Sequence, residues 1–183
     1  MNFDAVKKIL IDEAVKCGLE DYEIYFTQSS SISAETLKDE LSSFASGSGA
    51  GISFRCIVGG HNGVAATELF TEDELRSLVK RAMDNAAVIE NDDLAIIYGG
   101  SEEYAVCEKP AFDMPGAAEI RKLALDIQAR TYAGSEFVTD GTQSSVFAGT
   151  DRYELVNSKG LDVNFRDNAI GCAAVAIAAS DAF

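Results

Sequence analysis

The sequence predicts an α+β fold, with mixed or antiparallel sheets packed against helices in two modules, each a helix followed by a meander of strands. Helical periodicity marks residues 3–17, 72–89 and 117–132, and period-two alternation follows the first and third of these segments. Short turns rich in glycine, asparagine and serine separate the alternating segments, which favours hairpins over the long crossovers of a parallel sheet.

The chain begins with a predicted helix over residues 3–17, where apolar side chains recur at the i, i+3 and i+4 spacing of one helix face. Asn2 is placed to cap its start, and Gly18 fits the left-handed position just after its end. Next, residues 22–27 alternate between apolar and polar side chains, which predicts a first strand.

Three serines at 29–31 predict a turn, and residues 32–37 predict a second, more polar strand. The glycine-rich stretch 47–51 then invites comparison with a phosphate-binding loop. Such a loop requires Lys and Ser/Thr after the last glycine, and a dinucleotide-binding loop requires a helix there. A strand follows instead, so we expect a flexible connection with close backbone packing.

Residues 52–58 follow a period-two pattern that predicts a strand with one buried face. Asn62-Gly63 predicts a type I′ hairpin turn, because both residue types tolerate positive φ, and residues 63–69 form the returning strand. Thr71 to Glu74 has the spacing of a capping box, so a helix begins there and runs to about residue 89 with an apolar stripe facing the core.

Residues 90–115 contain both prolines and many acidic residues and predict a linker, with a short strand at 94–98. A helix at 117–132 starts the second module, and a hairpin turn is predicted at 157–160. The predicted strands of this module are 136–148, 153–157, 161–167 and 170–179.

The predicted domains are therefore 1–92, a linker at 93–115, and 116–183 as the start of a second domain that is truncated. Alternation is nearly lost over 169–179, which predicts a strand buried on both faces. Because that strand comes so close to the last residue, we expect part of its cover to come from further chain or from another subunit.

Composition limits the class of protein. An apolar content of 47% and a charged content of 25% are ordinary for a globular protein. No stretch approaches the ~20 apolar residues of a membrane-spanning helix, and the N-terminus lacks signal-peptide features. We therefore expect a cytoplasmic protein without a membrane partner. The net charge of −15 and the scattered Lys and Arg residues argue against a nucleic-acid partner.

No catalytic, cofactor-binding or metal-binding residue is predicted. His61 is the only histidine and is expected to be a solvated turn residue, whereas hydrolase and zinc sites draw on several such groups. The four cysteines, with no CxxC pair, are expected to be reduced and mostly buried. Pairs of adjacent acidic residues are interpreted as solvated surface, namely Asp12-Glu13, Glu20-Asp21, Asp92-Asp93 and Glu102-Glu103.

The order of these segments resembles the N-terminal domain of the TldD/PmbA family, also called the modulator of DNA gyrase family. The residues that carry the resemblance are 21–26, 31–44, 51–55 and 63–67, followed by the capped helix. The second half is similar to the central domain of that family through its helix and through Leu155-Val156-Asn157-Ser158-Lys159-Gly160. The Asn-Ser-x-Gly turn leans towards a PmbA-like (TldE-like) subunit over a TldD-like one.

The resemblance implies a cytoplasmic bacterial peptidase system that trims peptides and unfolded chains, including modified-peptide precursors. In it, a TldD-type subunit with a zinc-binding HExxxH helix pairs with a PmbA-type subunit that lacks this helix. The resemblance implies that the position of this motif follows the central domain in both types, so no residue up to Phe183 inherits a zinc or catalytic role. Zinc is expected only in the complete protein or in a partner subunit.

Two functions remain open from the sequence. The first is the N-terminal, non-catalytic portion of such a metallopeptidase complex. It would serve assembly and enclosure, as a homo- or hetero-oligomer with a TldD/PmbA-type subunit and with peptide substrate in the full assembly. The alternative is a stand-alone protein-binding or scaffold module without peptidase activity, such as a gyrase-modulating interaction protein. Whether the protein is itself an enzyme stays undecided.

Overall fold

A computed structural model describes residues 2–90, 93, 95–101, 103–104 and 113–179 of the chain. The sheet has the order β3-β2-β1-β4-β5 and is antiparallel, which confirms the α+β class. No helix in this described part is long and apolar enough to cross a membrane. The elements in chain order are α1 (Phe3–Lys16), β1 (Tyr22–Leu37), β2 (Glu40–Val58), β3 (His61–Thr67), α2 (Glu72–Ala87), α3 (Ala117–Tyr132), β4 (Gln143–Asn157) and β5 (Asp162–Val175).

The helices lie close to where the sequence places them, because their end signals are local. The Asn2 side chain accepts a hydrogen bond from the amide of Asp4 at 3.0 Å, and Gly18 adopts a φ of 73° after the helix end. The Thr71 hydroxyl accepts from the amide of Glu74 at the start of α2. The third helix has the predicted bounds.

All strands except β3 are longer than predicted. Residues 29–31 continue β1 as exposed extended chain, so the predicted serine turn is wrong. The chain turns instead at Lys38 and Asp39, which both have positive φ, at 54° and 63°. Residues 47–51 lie inside β2, and a Cβ at Gly47 or Gly49 would meet no atom within 4 Å, so the predicted connection with close packing is also wrong. Serine and glycine carry weak local preferences that strand pairing overrides.

The predicted hairpin between β2 and β3 exists, but its turn is Gly59-Gly60, with φ of 60° and 87°. Val58 pairs with His61, and Cys56 pairs with Gly63, so Asn62-Gly63 belongs to β3 and the predicted turn at these residues is wrong. Gly59-Gly60 and Asn62-Gly63 are both dipeptides that tolerate the positive φ angles of a type I′ turn. The turn falls at Gly59-Gly60 because strand pairing takes the register that buries Ile52, Phe54 and Cys56.

Likewise, four predicted strands in the second half are two long ones, joined by the predicted turn at 157–160, where Gly160 has a φ of 95°. Leu94 lies outside the described residues, and residues 95–98 form no strand. The predicted strand over 169–179 ends at Val175, apart from an isolated bridge between Val138 and Ala178. Most of β5 is exposed, so the burial on both faces that the sequence predicts is not provided by the described part of the chain.

The described chain folds as two compact units whose segments alternate along the sequence. One unit comprises the described residues of 1–28, 49–108 and 152–166, and the other comprises those of 29–48, 109–151 and 167–183. They interleave because β1, β2, β4 and β5 each run from one unit into the other. The consecutive division into 1–92, 93–115 and 116–183 stays a prediction about sequence domains.

Each unit has its own apolar core. In the first unit, α1 and α2 pack on one face of the sheet around Phe26, Phe54 and Leu75, which are almost fully buried. In the second unit, α3 packs through Ile120 and Ala124. Its partners from the strands are Ala34, Val146 and Ala148.

Candidate functional site

An open cleft of about 340 Å³ lies in the first unit, where inner residues of β1 and β2 lie beside the C-terminal end of β3. Strand alternation explains its position, because Phe26 and Phe54 point into the helix-covered core while their neighbours Tyr25 and Ser53 point to the opposite face. The lining residues are Tyr25 and Thr27 from β1, Gly51, Ile52 and Ser53 from β2, and Ala66, Thr67 and Glu68 from the end of β3 and just beyond it.

Tyr25 forms an aromatic wall of the cleft. Its ring stacks on Tyr153 with centroids 6.3 Å apart and planes inclined by 12°, and Tyr153 in turn stacks on Phe165 at 6.3 Å. The Tyr25 side chain is 40% exposed. One side of its ring is therefore held by an aromatic neighbour while the side chain remains open to an incoming group.

Gly51 leaves open space at the floor of the cleft because it has no side chain. A Cβ at this position would lie 3.7 Å from the Thr27 hydroxyl and 3.9 Å from the backbone oxygen of Thr67. These are ordinary contacts, so a larger side chain would occupy the cleft without distorting the backbone.

Two carboxylates near the cleft differ in their partners. Glu74 pairs with Arg81 at 2.7 Å, and this hydrogen bond, with a second one from Thr67, holds the pKa of Glu74 below its usual value. Glu68 is exposed and makes no ion pair within the described residues. Glu68 is therefore the carboxylate that can meet a ligand.

The cation nearest along β2, Arg55, is already occupied. Its Nε donates to the Asn62 side chain at 2.6 Å, one terminal nitrogen donates to the Ile96 carbonyl at 2.5 Å, and the other lies 3.6 Å from Glu23. These contacts fix the guanidinium against segment 95–101 and leave it little freedom to bind an anion.

Glu13 departs most from the sequence prediction, because its side chain is buried, not solvated. Its carboxylate accepts a hydrogen bond from the guanidinium of Arg76 at 2.8 Å. The ammonium nitrogens of Lys16 and Lys80 lie 3.4 Å and 3.8 Å from the carboxylate oxygens. The Arg76 hydrogen bond lowers the pKa of Glu13 against the opposing effect of desolvation. Glu13 follows Leu10 by three residues, so the two side chains lie on the same face of α1. This spacing was the sequence signal that could have placed Glu13 on the buried face.

The residues that sequence analysis weighed for chemistry do not come together. His61 lies at the start of β3, partly buried, with its Nδ1 buried and unpartnered. Cys56 is buried, which raises its thiol pKa to about 11, and Cys17 is half-buried. Cys172 is exposed, contrary to the expectation of mostly buried thiols, and Cys107 lies outside the described residues.

A zinc site does not fit the described residues. They contain no group of three or more His, Cys, Asp or Glu side chains that could hold a metal ion. Structural and catalytic zinc sites take three or four such ligands.

Residues 22–86 match the family model described as PmbA/TldA metallopeptidase domain 1. This segment is a PmbA/TldD first domain. It contains β1, β2, β3 and nearly all of α2, and therefore all of the cleft. The family resemblance seen in the sequence is thus confirmed.

Solved structures show the same fold. A protein from Thermotoga maritima, described as a proposed modulator of a DNA gyrase, has a TM-score of 0.85 at 18% identity, covering 98% of this chain and 41% of its own. TldE from Thermococcus kodakarensis has a TM-score of 0.80 at 16% identity, covering 95% of this chain and 40% of its own. A protein from Bacteroides thetaiotaomicron, described as a proposed modulator of DNA gyrase, has a TM-score of 0.75 at 18% identity, covering 97% of this chain and 41% of its own.

At these identities the likeness to solved structures establishes the fold alone. The chain spans about two fifths of the length of each of these three proteins. A comparison with curated proteins finds no match. The PmbA/TldD assignment therefore rests on the match of residues 22–86 to the family model.

Proposed function

We propose that this chain is the N-terminal, non-catalytic portion of a PmbA/TldD-type metallopeptidase complex of the cytoplasm. Its role is assembly of the complex and enclosure of a distant active site. The observation that carries the proposal is the match of residues 22–86 to the first domain of a metallopeptidase family.

In this proposal, zinc and the HExxxH helix belong to the complete protein or to a partner subunit, and the substrate is a peptide or an unfolded chain. The Asn-Ser-x-Gly turn at 157–160 supports a TldE-like subunit over a TldD-like one, and TldE from T. kodakarensis shares the fold of this chain. Neither nucleic acid nor a membrane is a partner, and the net charge of −15 supports the exclusion of nucleic acid.

The exposed strand β5 supports the oligomeric part of the proposal. It is an edge strand of the sheet and leaves Ile170 and Val175 about half exposed, at 47% and 55%. Phe147 on neighbouring β4 is 52% exposed and packs closely over Gly171. Edge strands with apolar side chains favour pairing with further chain.

The proposal is tested by mixing this chain with a PmbA/TldD-family subunit that carries the HExxxH motif and analysing the mixture by size-exclusion chromatography with light scattering. We expect a complex of defined mass that contains both chains. Separate elution of the two chains at concentrations well above micromolar would contradict the proposal. Serum albumin, an acidic protein, serves as the control for non-specific association.

A second candidate function is a stand-alone interaction module that modulates DNA gyrase. The descriptions of the structures from T. maritima and B. thetaiotaomicron favour it over other binding roles. Because acidic surfaces are repelled by DNA, such a module would act through a protein contact. A change in gyrase supercoiling rate on addition of this chain, without formation of the peptidase complex, would favour this alternative.

A further inference from the structure

The cleft of domain 1 combines an aromatic ring, a carboxylate and hydroxyl groups on one open surface. Tyr25 supplies the ring and Glu68 the carboxylate, while Thr27 and Ser53 supply hydroxyl oxygens as hydrogen-bond acceptors. A cation is attracted to the face of an aromatic ring and to a carboxylate alike, whereas an anion is repelled by both. The lining therefore selects for positive charge.

We propose that this cleft binds the cationic side chain of a lysine or arginine presented by another polypeptide. The ammonium or guanidinium group lies against the Tyr25 ring and pairs with Glu68, and the apolar stem passes over Ala66. The inference does not rest on the proposed function, because it concerns only the chemistry of the cleft.

Charge supports a cationic occupant. The chain carries 30 Asp and Glu against 15 Lys and Arg, so a basic partner is attracted from a distance. Near the cleft, the Arg55 and Arg81 cations are each paired with a carboxylate, at 3.6 Å with Glu23 and 2.7 Å with Glu74. Glu68 has no such partner among the described residues.

The position of the cleft favours a polypeptide over a free amine. Ala66 and Thr67 lie on β3, which is an edge strand of the sheet. An extended segment that approaches this edge can place one side chain in the cleft while its main chain stays in reach of the edge. A volume of about 340 Å³ is at the small end of ligand sites and suits one side chain.

The test titrates the purified chain with Nα-acetyl-lysine methylamide and with the norleucine analogue, which has the same stem without the ammonium group. Binding is followed by NMR shifts of the backbone amides of Gly51, Ser53, Ala66 and Glu68. We expect saturable millimolar binding of the lysine probe and at least threefold weaker binding of the norleucine probe. Equal affinity of the two probes would overturn the proposal.

Variants separate the cleft from the overall charge. Glu68→Gln and Tyr25→Leu should each weaken lysine binding about two- to fivefold. Glu119→Gln on α3 makes the same change in net charge far from these residues in sequence and should leave binding unchanged. An equal loss for Glu68→Gln and Glu119→Gln would show non-specific attraction to the acidic chain and would overturn the proposal.

A further pair of variants tests the location of binding without removing a charge. Gly51→Val fills the cleft and should abolish the lysine-dependent shifts. Gly49→Val lies on the same strand, where a Cβ meets no atom within 4 Å, and should retain them. Thermal unfolding of each variant verifies that it is folded. Wild-type binding by a folded Gly51→Val protein would also overturn the proposal.

Discussion

At Gly63, strand β3 approaches helix α2 so closely that no side chain fits. A Cβ there would lie 2.0 Å from the carbonyl oxygen of Ala82 and 2.6 Å from the backbone nitrogen of Ala86. The glycine is required by this contact, not by a turn, because Gly63 has no positive φ. The sequence singled out this residue for the wrong reason, since the approach of a helix 19 residues along the chain has no local signal.

We therefore expect Gly63→Ala to lower the free energy of unfolding by about 3 kcal/mol, because the helix must move away from the strand. Gly49→Ala is the matched control, and it should change the free energy by less than about 0.5 kcal/mol. Urea unfolding followed by circular dichroism measures both. Similar stability of the two variants would show that β3 and α2 are not in this close contact.

Glu13 makes stability depend on pH. The hydrogen bond from Arg76 is the largest cause that lowers the pKa of Glu13 in the folded state. The stabilisation of the fold by the ionised carboxylate is therefore fully present above the unfolded-state pKa of about 4.3. It is lost as the pH falls through the lower folded-state pKa. We expect Glu13→Gln to destabilise the chain near neutral pH and to differ less from the parent at about pH 3.

The neighbouring variant Asp12→Asn is the control for Glu13→Gln. Asp12 forms an exposed pair with Lys8 at 2.6 Å, and such pairs contribute little to stability. Thermal unfolding across this pH range measures all three proteins. An effect of Asp12→Asn as large as that of Glu13→Gln at neutral pH would contradict the structural role of the buried carboxylate.

At the scale of elements, the β1–β2 turn is formed by two residues that are poorly suited to it. Lys38 and Asp39 both have positive φ, which non-glycine residues adopt at a cost of roughly 1–2 kcal/mol each. Asn-Gly is the preferred dipeptide for such a turn. We expect Lys38→Asn combined with Asp39→Gly to raise the free energy of unfolding by about 1 kcal/mol.

The double variant removes the exposed ion pair of Lys38 with Asp140, at 3.7 Å. Asp140→Asn is therefore measured alongside it and should have little effect, since the pair is exposed. Denaturant unfolding measures the free energy of unfolding of the double variant and of Asp140→Asn. A double variant less stable than the parent would show that the turn has another conformation.

Helices could be predicted from the sequence more accurately than strands. Asn2, Thr71 and Gly18 are local end signals, and each is used as predicted. The serine run at 29–31 and the glycine-rich run at 47–51 carry no local signal that ends a strand. Pairing with neighbouring strands therefore decides whether the strand continues through them. The cleft could not be predicted, because its walls come from three strands that meet only in the fold.

At the scale of the whole molecule, exposed strand β5 predicts self-association of this chain. Val175→Lys places a charge on the exposed strand and should reduce the apparent mass measured by light scattering at high protein concentration. High salt screens the repulsion between acidic chains and should strengthen association of the parent. A parent that stays strictly monomeric at high concentration and high salt would contradict this prediction.

The central claim is that this chain contributes to peptide cleavage without a catalytic centre of its own. Mass spectrometry of a peptide mixture tests it most directly, after incubation with this chain, with an HExxxH-bearing PmbA/TldD subunit, and with both. We predict no cleavage by this chain alone and a higher rate for the mixture than for the subunit alone. Cleavage by the purified chain alone, or a rate unchanged by its addition, would contradict the claim.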